Sequence, residues 1–271
     1  MRPLLVSALV CLLAFASAGT RGAHALDIAM GSETLFQQVE GASVVVSARF
    51  LERAGGSLVF ERDTLLAGAL GRRIAVASDP YVEDLELERG AVYLLCLRAQ
   101  PDGSLRLRTS RYSVLAVPSA ELPAALDAVR VYLRDRADPE RLAASLLRLA
   151  GSDSVFLQTS AITSLAARRL LTPDNLTPLL ELARAGRVRE PRARELVLQQ
   201  AGWLRAPGAR GVVESRLLDP AEDPGVRETA LLALHRIDPS SVAGAVSRIE
   251  GPDAAVLQQR ARWLQERAGA R

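Results

Sequence analysis

Hydrophobic positions follow two different periods along this chain, and the change falls at Pro118. Before it, apolar residues come in short, β-branched runs. Ser43 to Leu51 reads as a strand that stops at Ala54-Gly55-Gly56. Ser57 to Leu66 follows, and Gly68 and Gly71 flank a turn before Arg72 to Ala77, which Asp79-Pro80 ends. Ala91 to Leu97 is a continuous apolar run closed by Gln100-Pro101-Asp102-Gly103, where proline presets one dihedral and glycine admits positive φ. Ser104 to Val117 then alternates, with Leu105 and Leu107 set against Arg106 and Arg108, the period of a strand. The pattern predicts five short strands, hence a small barrel or sandwich, with a short helix over 34–39 ahead of them.

After Pro118, Leu, Ala and Arg dominate, and apolar residues recur at the helical period. This predicts helices over 121–136, 139–150, 153–171, 174–186, 191–205, 209–218, 224–237, 240–249 and 252–268. Pro139, Pro173, Pro191, Pro224 and Pro252 sit at or near first-turn positions, where a missing N–H costs little. Asp138, Thr172 and Asp223 precede three of these prolines as N-cap candidates.

The helical half repeats itself. Glu190-Pro191-Arg192-Ala193-Arg194 recurs 33 residues later as Asp223-Pro224-Gly225-Val226-Arg227. Each copy opens an apolar ridge: Ala193, Val197, Ala201 and Leu204, then Val226, Ala230, Leu234 and Ile237. Related ridges stand upstream at Leu157, Ala161 and Leu165 and downstream at Leu257, Ala261 and Leu264, so that ridges start 36, 33 and 31 residues apart. Each ridge carries an alanine, which lets a neighbouring helix approach closely. A second apolar face follows each of the first three ridges, at Leu176, Leu179, Leu180 and Leu182, at Val212, Val213 and Leu217, and at Val242, Val246 and Ile249. A plain helical bundle would bury such faces without needing the repeated signature.

Two helices per unit of about 33 residues resemble HEAT-like repeats of the phycobilisome-lyase type, most fully at DPGVRETALLALHRID, Asp223 to Asp238. The resemblance spans about 140–271. At the first and last ridges, Gln158 and Gln258 replace the signature arginine, as atypical capping units would. It implies an α-solenoid that binds protein partners along a concave helix surface. In the strand half, Leu87 to Leu97 (LERGAVYLLCL) resembles a stretch of netrin-like or OB-type barrels of exported bacterial proteins. Netrin-like protease inhibitors use several disulfides, which this chain cannot form. The fold class expected is therefore α+β multidomain: a small five-stranded OB/netrin-like β-barrel, then a solenoid of HEAT-like helical pairs. The domains expected are a signal peptide over 1–25, the barrel over 26–118, a connecting helix over 119–138 and the solenoid over 139–271.

The N-terminus adds a compartment. Arg2 precedes an apolar run of about 13 residues, Leu4 to Ala16, with Ala16-Ser17-Ala18 and Ala23-His24-Ala25 as small-residue exits, the layout of a secretory signal peptide. A spanning helix needs roughly 20 apolar residues, so no stable membrane insertion is expected after cleavage. Of 34 basic residues none is lysine. Cleavage after Ala25 removes Arg2 and Arg21, leaving 32 arginines against 31 acids. That balance, together with 4% aromatics, argues against nucleic acid as a partner. The mature chain keeps one cysteine, Cys96, read as a buried structural thiol.

Motifs of known chemistry are missing: there is no G-x-S-x-G, H-E-x-x-H, C-x-x-C, P-loop or G-x-G-x-x-G. His235 is read as a helix-surface residue near a C-terminus. A general-base role would need Ser240 or Ser241 within its reach. Glu83, Asp84, Glu86 and Glu88 interleave with Leu85 and Leu87, which puts Glu86 and Glu88 on a wet strand face rather than around a cation. Trp203 and Trp263 are read as core between repeats, with binding hot spots as the alternative. Arg184, Arg187, Arg189, Arg192 and Arg194 cluster at a repeat junction beside Glu181, Glu190 and Glu195, either as a salt-bridged face or as the binding site for an acidic protein partner. No catalytic residue, metal ligand or cofactor is expected. The reading is an exported, non-catalytic interaction module, periplasmic or secreted; the alternative is an exported enzyme or protease-inhibitor-like protein with its site in the barrel loops.

Overall fold

The glycine pair expected to end the first strand does so by conformation: Gly55 and Gly56 both take positive φ, the geometry of a tight hairpin. In the computed structural model, which describes residues 34–77, 85–111 and 113–269, that hairpin joins β1 (Val44–Ala54) to β2 (Ser57–Ala67). The expected signal peptide with its cleavage candidates, Asp79-Pro80, Glu83 and Asp84 lie outside the described residues.

β3 (Arg73–Ala77) pairs antiparallel with β2 and parallel with β5 (Leu105–Arg111). β4 (Val92–Ala99) pairs antiparallel with both β5 and β1. The ring β1-β2-β3-β5-β4-β1 is closed, so none of these strands leaves an unpaired edge along the whole sheet. This is an OB-like barrel. The single strand expected over 104–117 is broken in two: after β5 the chain resumes as β6 (Val114–Leu115), which continues along β4. Register shifts between Val45 and Val46, Ser47 and Ala48, and Phe50 and Glu52 bend β1 around the barrel.

Alternation explains the two faces. Val44, Val46, Ala48 and Phe50 point inward with Leu58, Phe60, Ile74, Tyr93, Leu95 and Leu97. The opposite set, Val45, Leu94, Cys96 and Leu115, belongs to a second core that runs outward into the helices. That double burial is why 91–97 reads as a continuous apolar run. Cys96 is fully buried, and burial alone pushes its thiol up to about 12.

The short helix ahead of the barrel is α1 (Leu35–Glu40); Leu35, Phe36 and Val39 are buried, and Phe36 stacks on Tyr132 at 4.9 Å. Tyr132 lies on α2 (Leu122–Asp135), which packs on α1, β2 and α3 (Pro139–Ala150). Asp135 accepts from its neighbour Arg134 at 2.7 Å and, across to α3, from Ser145 at 2.7 Å, and these bonds hold its carboxyl well below the usual range.

The remaining helices are α4 (Val155–Ala167), α5 (Pro173–Arg184), α6 (Pro191–Trp203), α7 (Arg210–Leu218), α8 (Pro224–Ile237), α9 (Pro239–Val246) and α10 (Ala254–Gly269). Pro139, Pro173, Pro191 and Pro224 are first helical residues, whereas Pro252 lies two residues ahead of α10. Asp138, Thr172 and Asp223 cap their helices through side-chain oxygens. The expected ridges lie on α4, α6, α8 and α10. Ala193, Val197 and Ala201, Val226, Ala230 and Leu234, and Ala161 and Ala261 are fully buried.

α4 packs on α6, α6 on α8 and α8 on α10, while α3 packs on α5 and α5 on α7. Closeness is enforced at Gly202, where an added Cβ would stand 2.8 Å from the Cα of Ala233. Corresponding positions also behave alike. Arg169 and Arg205, 36 residues apart, both take left-handed φ after α4 and α6. Leu170 then donates back to Leu165 and Ala206 to Ala201, the bonds of a matching helix stop.

Arg194 and Arg227 tie successive stretches of the helical half together. Arg194 donates to the carbonyls of Val188 and Arg189 behind it and to Glu222 ahead. Arg227 donates to Leu217 and Glu250 carbonyls and to Asp253. Gln158, at the corresponding step of α4, donates to Ala150 and Arg187 carbonyls, and Gln258 donates to Ile249. Substituting glutamine for arginine keeps the bonding to backbone and drops the charge.

Candidate interaction surface

The five arginines of the junction do not share one fate. Arg194 is taken out of the surface: its side chain is 16% exposed and pairs at 2.7 Å with Glu222, itself 3% exposed, which also pairs with Arg216 at 3.3 Å. Arg184, Arg187, Arg189 and Arg192 remain exposed. Arg184 pairs with Glu181 at 3.0 Å within α5, and Arg192 with Glu195 within α6. Arg187 donates to the Gly151 carbonyl and Arg189 to that of Asp153, so these two brace the loop that precedes α4. Each guanidinium has five N–H donors, so these exposed groups retain donors toward solvent.

Trp203 and Trp263 correct the core expectation, being 57% and 44% exposed. The reason is helical phase. At about 100° per residue, both indoles lie more than about 90° from the centre of their own ridges. On α6 the close approach of Gly202 to Ala233 leaves no room for an indole between helices. Phase was therefore the signal that size concealed. Each ring meets arginine instead. Arg236 of α8 lies 5.9 Å from the Trp203 centroid, and Arg260 and Arg267 lie 5.7 and 4.3 Å from that of Trp263.

Beside Trp263 a groove of about 580 Å³ runs between the start of α8 and the outer side of α10, lined by Pro224, Glu228, Val256, Arg260 and Trp263 among others. Val256 is 69% exposed there. Arg260 reaches Glu228 at 3.4 Å across the groove. Along α6, Arg192 near the start and Trp203 at the end are separated by about 16 Å, so the arginine junction and the Trp203 indole occupy opposite ends of that helix.

A second depression lies at the seam between barrel and helices. Gln37 and Glu40 of α1, Arg108 of β5, Tyr132 of α2, and Ser164 and Arg168 at the end of α4 line about 460 Å³. Tyr132 donates to Glu40, and Arg168 donates to the same carboxylate at 2.7 Å and to the Tyr132 hydroxyl at 3.0 Å. Burial, with the Glu40 carboxylate next in effect, pushes the Tyr132 hydroxyl up to about 12. None of these residues stood out in the sequence, because Glu40 and Arg168 are 128 positions apart and no local spacing joins them.

His235 lies in the last turn of α8. Ser240 and Ser241 both donate to Asp238, whose carboxyl they lower to about 2 while it caps α9. Glu86 and Glu88 are exposed and Leu85 and Leu87 are half-buried against the barrel core, but residues 85–88 form no strand, so the alternation there belongs to a loop and not to the strand face expected. Among the described residues, no three His, Cys, Asp or Glu side chains converge into a metal-sized cluster, and no helix is long and apolar enough to cross a membrane. No protein-family model and no curated protein matches the chain.

Proposed function

We propose that this chain is an exported, non-catalytic interaction protein in which an OB-like barrel carries a HEAT-like α-solenoid, and that the outer helix surface binds an acidic protein partner. Support for the solenoid comes from the order of helix packing, from the left-handed stops after α4 and α6, and from the corresponding roles of Gln158, Arg194, Arg227 and Gln258. One observation carries the binding claim: both tryptophans of the chain stand at the surface against arginine. Tryptophan and arginine are the residue types that most often dominate interface energy. An exposed indole beside a guanidinium offers a partner an apolar plate and a fixed positive charge together.

Arginine, rather than carboxylate, crowds the outer side of α10, where Arg260, Arg262 and Arg267 outnumber Glu266. That charge favours a partner presenting Asp or Glu. A near-neutral mature chain with few aromatics favours protein over nucleic acid. The test is affinity capture from the native envelope fraction with the full chain and with W203A/W263A. A partner held by the native chain and released by the variant supports the reading. Equal capture by both, or a hydrolytic or inhibitory activity that survives the double substitution, overturns it.

A further inference from the structure

Taking the acidic partner above as given, we infer that Trp203 and Trp263 belong to one site. It is a track across the outer side of α6, α8 and α10 that takes an extended, acidic segment of the partner with an apolar anchor at each end.

The outer stripe of α8 joins the two indoles. At about 100° per residue, Glu228, Leu232 and Arg236 lie on one side of that helix, with Glu228 and Arg236 exposed and Leu232 half-buried. Arg236, in the last turn, stands 5.9 Å from the Trp203 ring of α6. Glu228, in the first turn, pairs at 3.4 Å with Arg260 of α10, which stands 5.7 Å from the Trp263 ring. Contacts therefore run unbroken from one ring to the other across three helices. The starts of α6 and α8 meet where a Cβ on Gly225 would stand 2.7 Å from Glu195, and their ends meet where Gly202 approaches Ala233, so the two run parallel and present their outer sides together.

Charge selects the class of segment. Arg260 is occupied by Glu228, but Arg236 and Arg267 each lie against an indole with no carboxylate partner among the described residues. One such guanidinium stands at each end of the track, and each can take a carboxylate through two parallel N–H donors. The ring beside it offers an apolar plate, and next to Trp263 the groove between Pro224 and Val256 admits an apolar side chain.

Shape selects its conformation. The close approach of Gly202 to Ala233 leaves no trough between α6 and α8, and the middle of the track is the charged stripe of α8. A docked helix would need a continuous apolar groove there, whereas an extended chain needs only its two anchors. From Glu228 to Arg236 α8 rises about 12 Å, and the side steps to the rings bring the span to about 20 Å, which an extended chain crosses in about six residues.

A phage-displayed library of random peptides, selected on the full chain, tests the track. Selected sequences should carry two apolar residues about six positions apart with Asp or Glu beside them. Made as synthetic peptides, they should lose at least tenfold in affinity for W203A, for W263A and for R236Q, with each variant keeping the native urea midpoint. Sequences rich in Lys or Arg, peptides that bind W203A or W263A as tightly as the native chain, or a selection that enriches nothing overturn the inference. If nothing is enriched while the native chain still captures a partner that W203A/W263A releases, the interaction reading stands and the extended track alone is lost.

Discussion

Arg194 of α6 and Glu222, just before α8, meet at 2.7 Å with 16% and 3% of their side chains exposed. The arginine also closes carbonyls of the loop behind it, so one side chain spans three successive segments of chain. Removing one partner of such a buried pair leaves the other desolvated and uncompensated. We expect R194A and E222A each to cost about 3 kcal/mol in urea unfolding, and the double variant to show a coupling of about 1–3 kcal/mol. Strictly additive losses would show that the pair does not join α6 to the segment before α8.

The ridge assignment is tested one helix away. Ala230 is fully buried between α8 and its neighbours, so A230D places an unpaired charge where nothing can solvate it, and the helical half should unfold. G202A is milder. Its methyl group would meet Ala233 backbone at 2.8 Å, for a loss of about 1–3 kcal/mol, while G208A, facing open space, stays within about 0.5 kcal/mol of the native chain. Native melting temperatures for A230D and G202A would refute the close packing of α6 on α8.

Alkali should loosen the seam and the barrel wall. Tyr132 is raised to about 12 from an ordinary value of 10.0, and Cys96 to about 12 from 9.0. Both folded forms favour the proton, so their contribution is complete below the ordinary values and is lost as pH climbs from about 9 toward 12. Stability measured by urea across that window should fall, and Y132F should fall less steeply. At neutral pH, the Cys96 thiol should react with a disulfide reagent only at the rate of global unfolding; fast labelling of the native chain would contradict its burial.

Tryptophan fluorescence reads the surface directly. With both indoles exposed, native emission should lie close to that of indole in water, and iodide should quench it strongly because arginines draw the anion in. W203A/W263A should unfold within about 1 kcal/mol of the native chain. Blue-shifted, protected emission would restore both rings to the core.

Periodicity made most of the architecture legible. Alternation at Leu105 to Arg108 and the turn at Gly55-Gly56 placed the strands, and the spacing of Ala193 and Val226 placed corresponding buried positions. Barrel closure depends on β1 pairing with β4 across half the domain, which no local pattern announces. Residue identity misled where phase would have served: tryptophan suggested core, and the junction arginines looked alike although Arg194 alone turns inward. The seam cleft was invisible for the plainest reason, since its members come from segments that meet only once the chain has folded.

The exposed indoles make the central claim open to one direct measurement. A photo-crosslinking residue placed at position 203, at 263 or at Gly103 in a barrel turn, in the full chain within its native cell, reports what each position touches. The account predicts the same adduct from 203 and 263 and none from 103. An adduct from the barrel turn alone, with 203 and 263 silent, would contradict it.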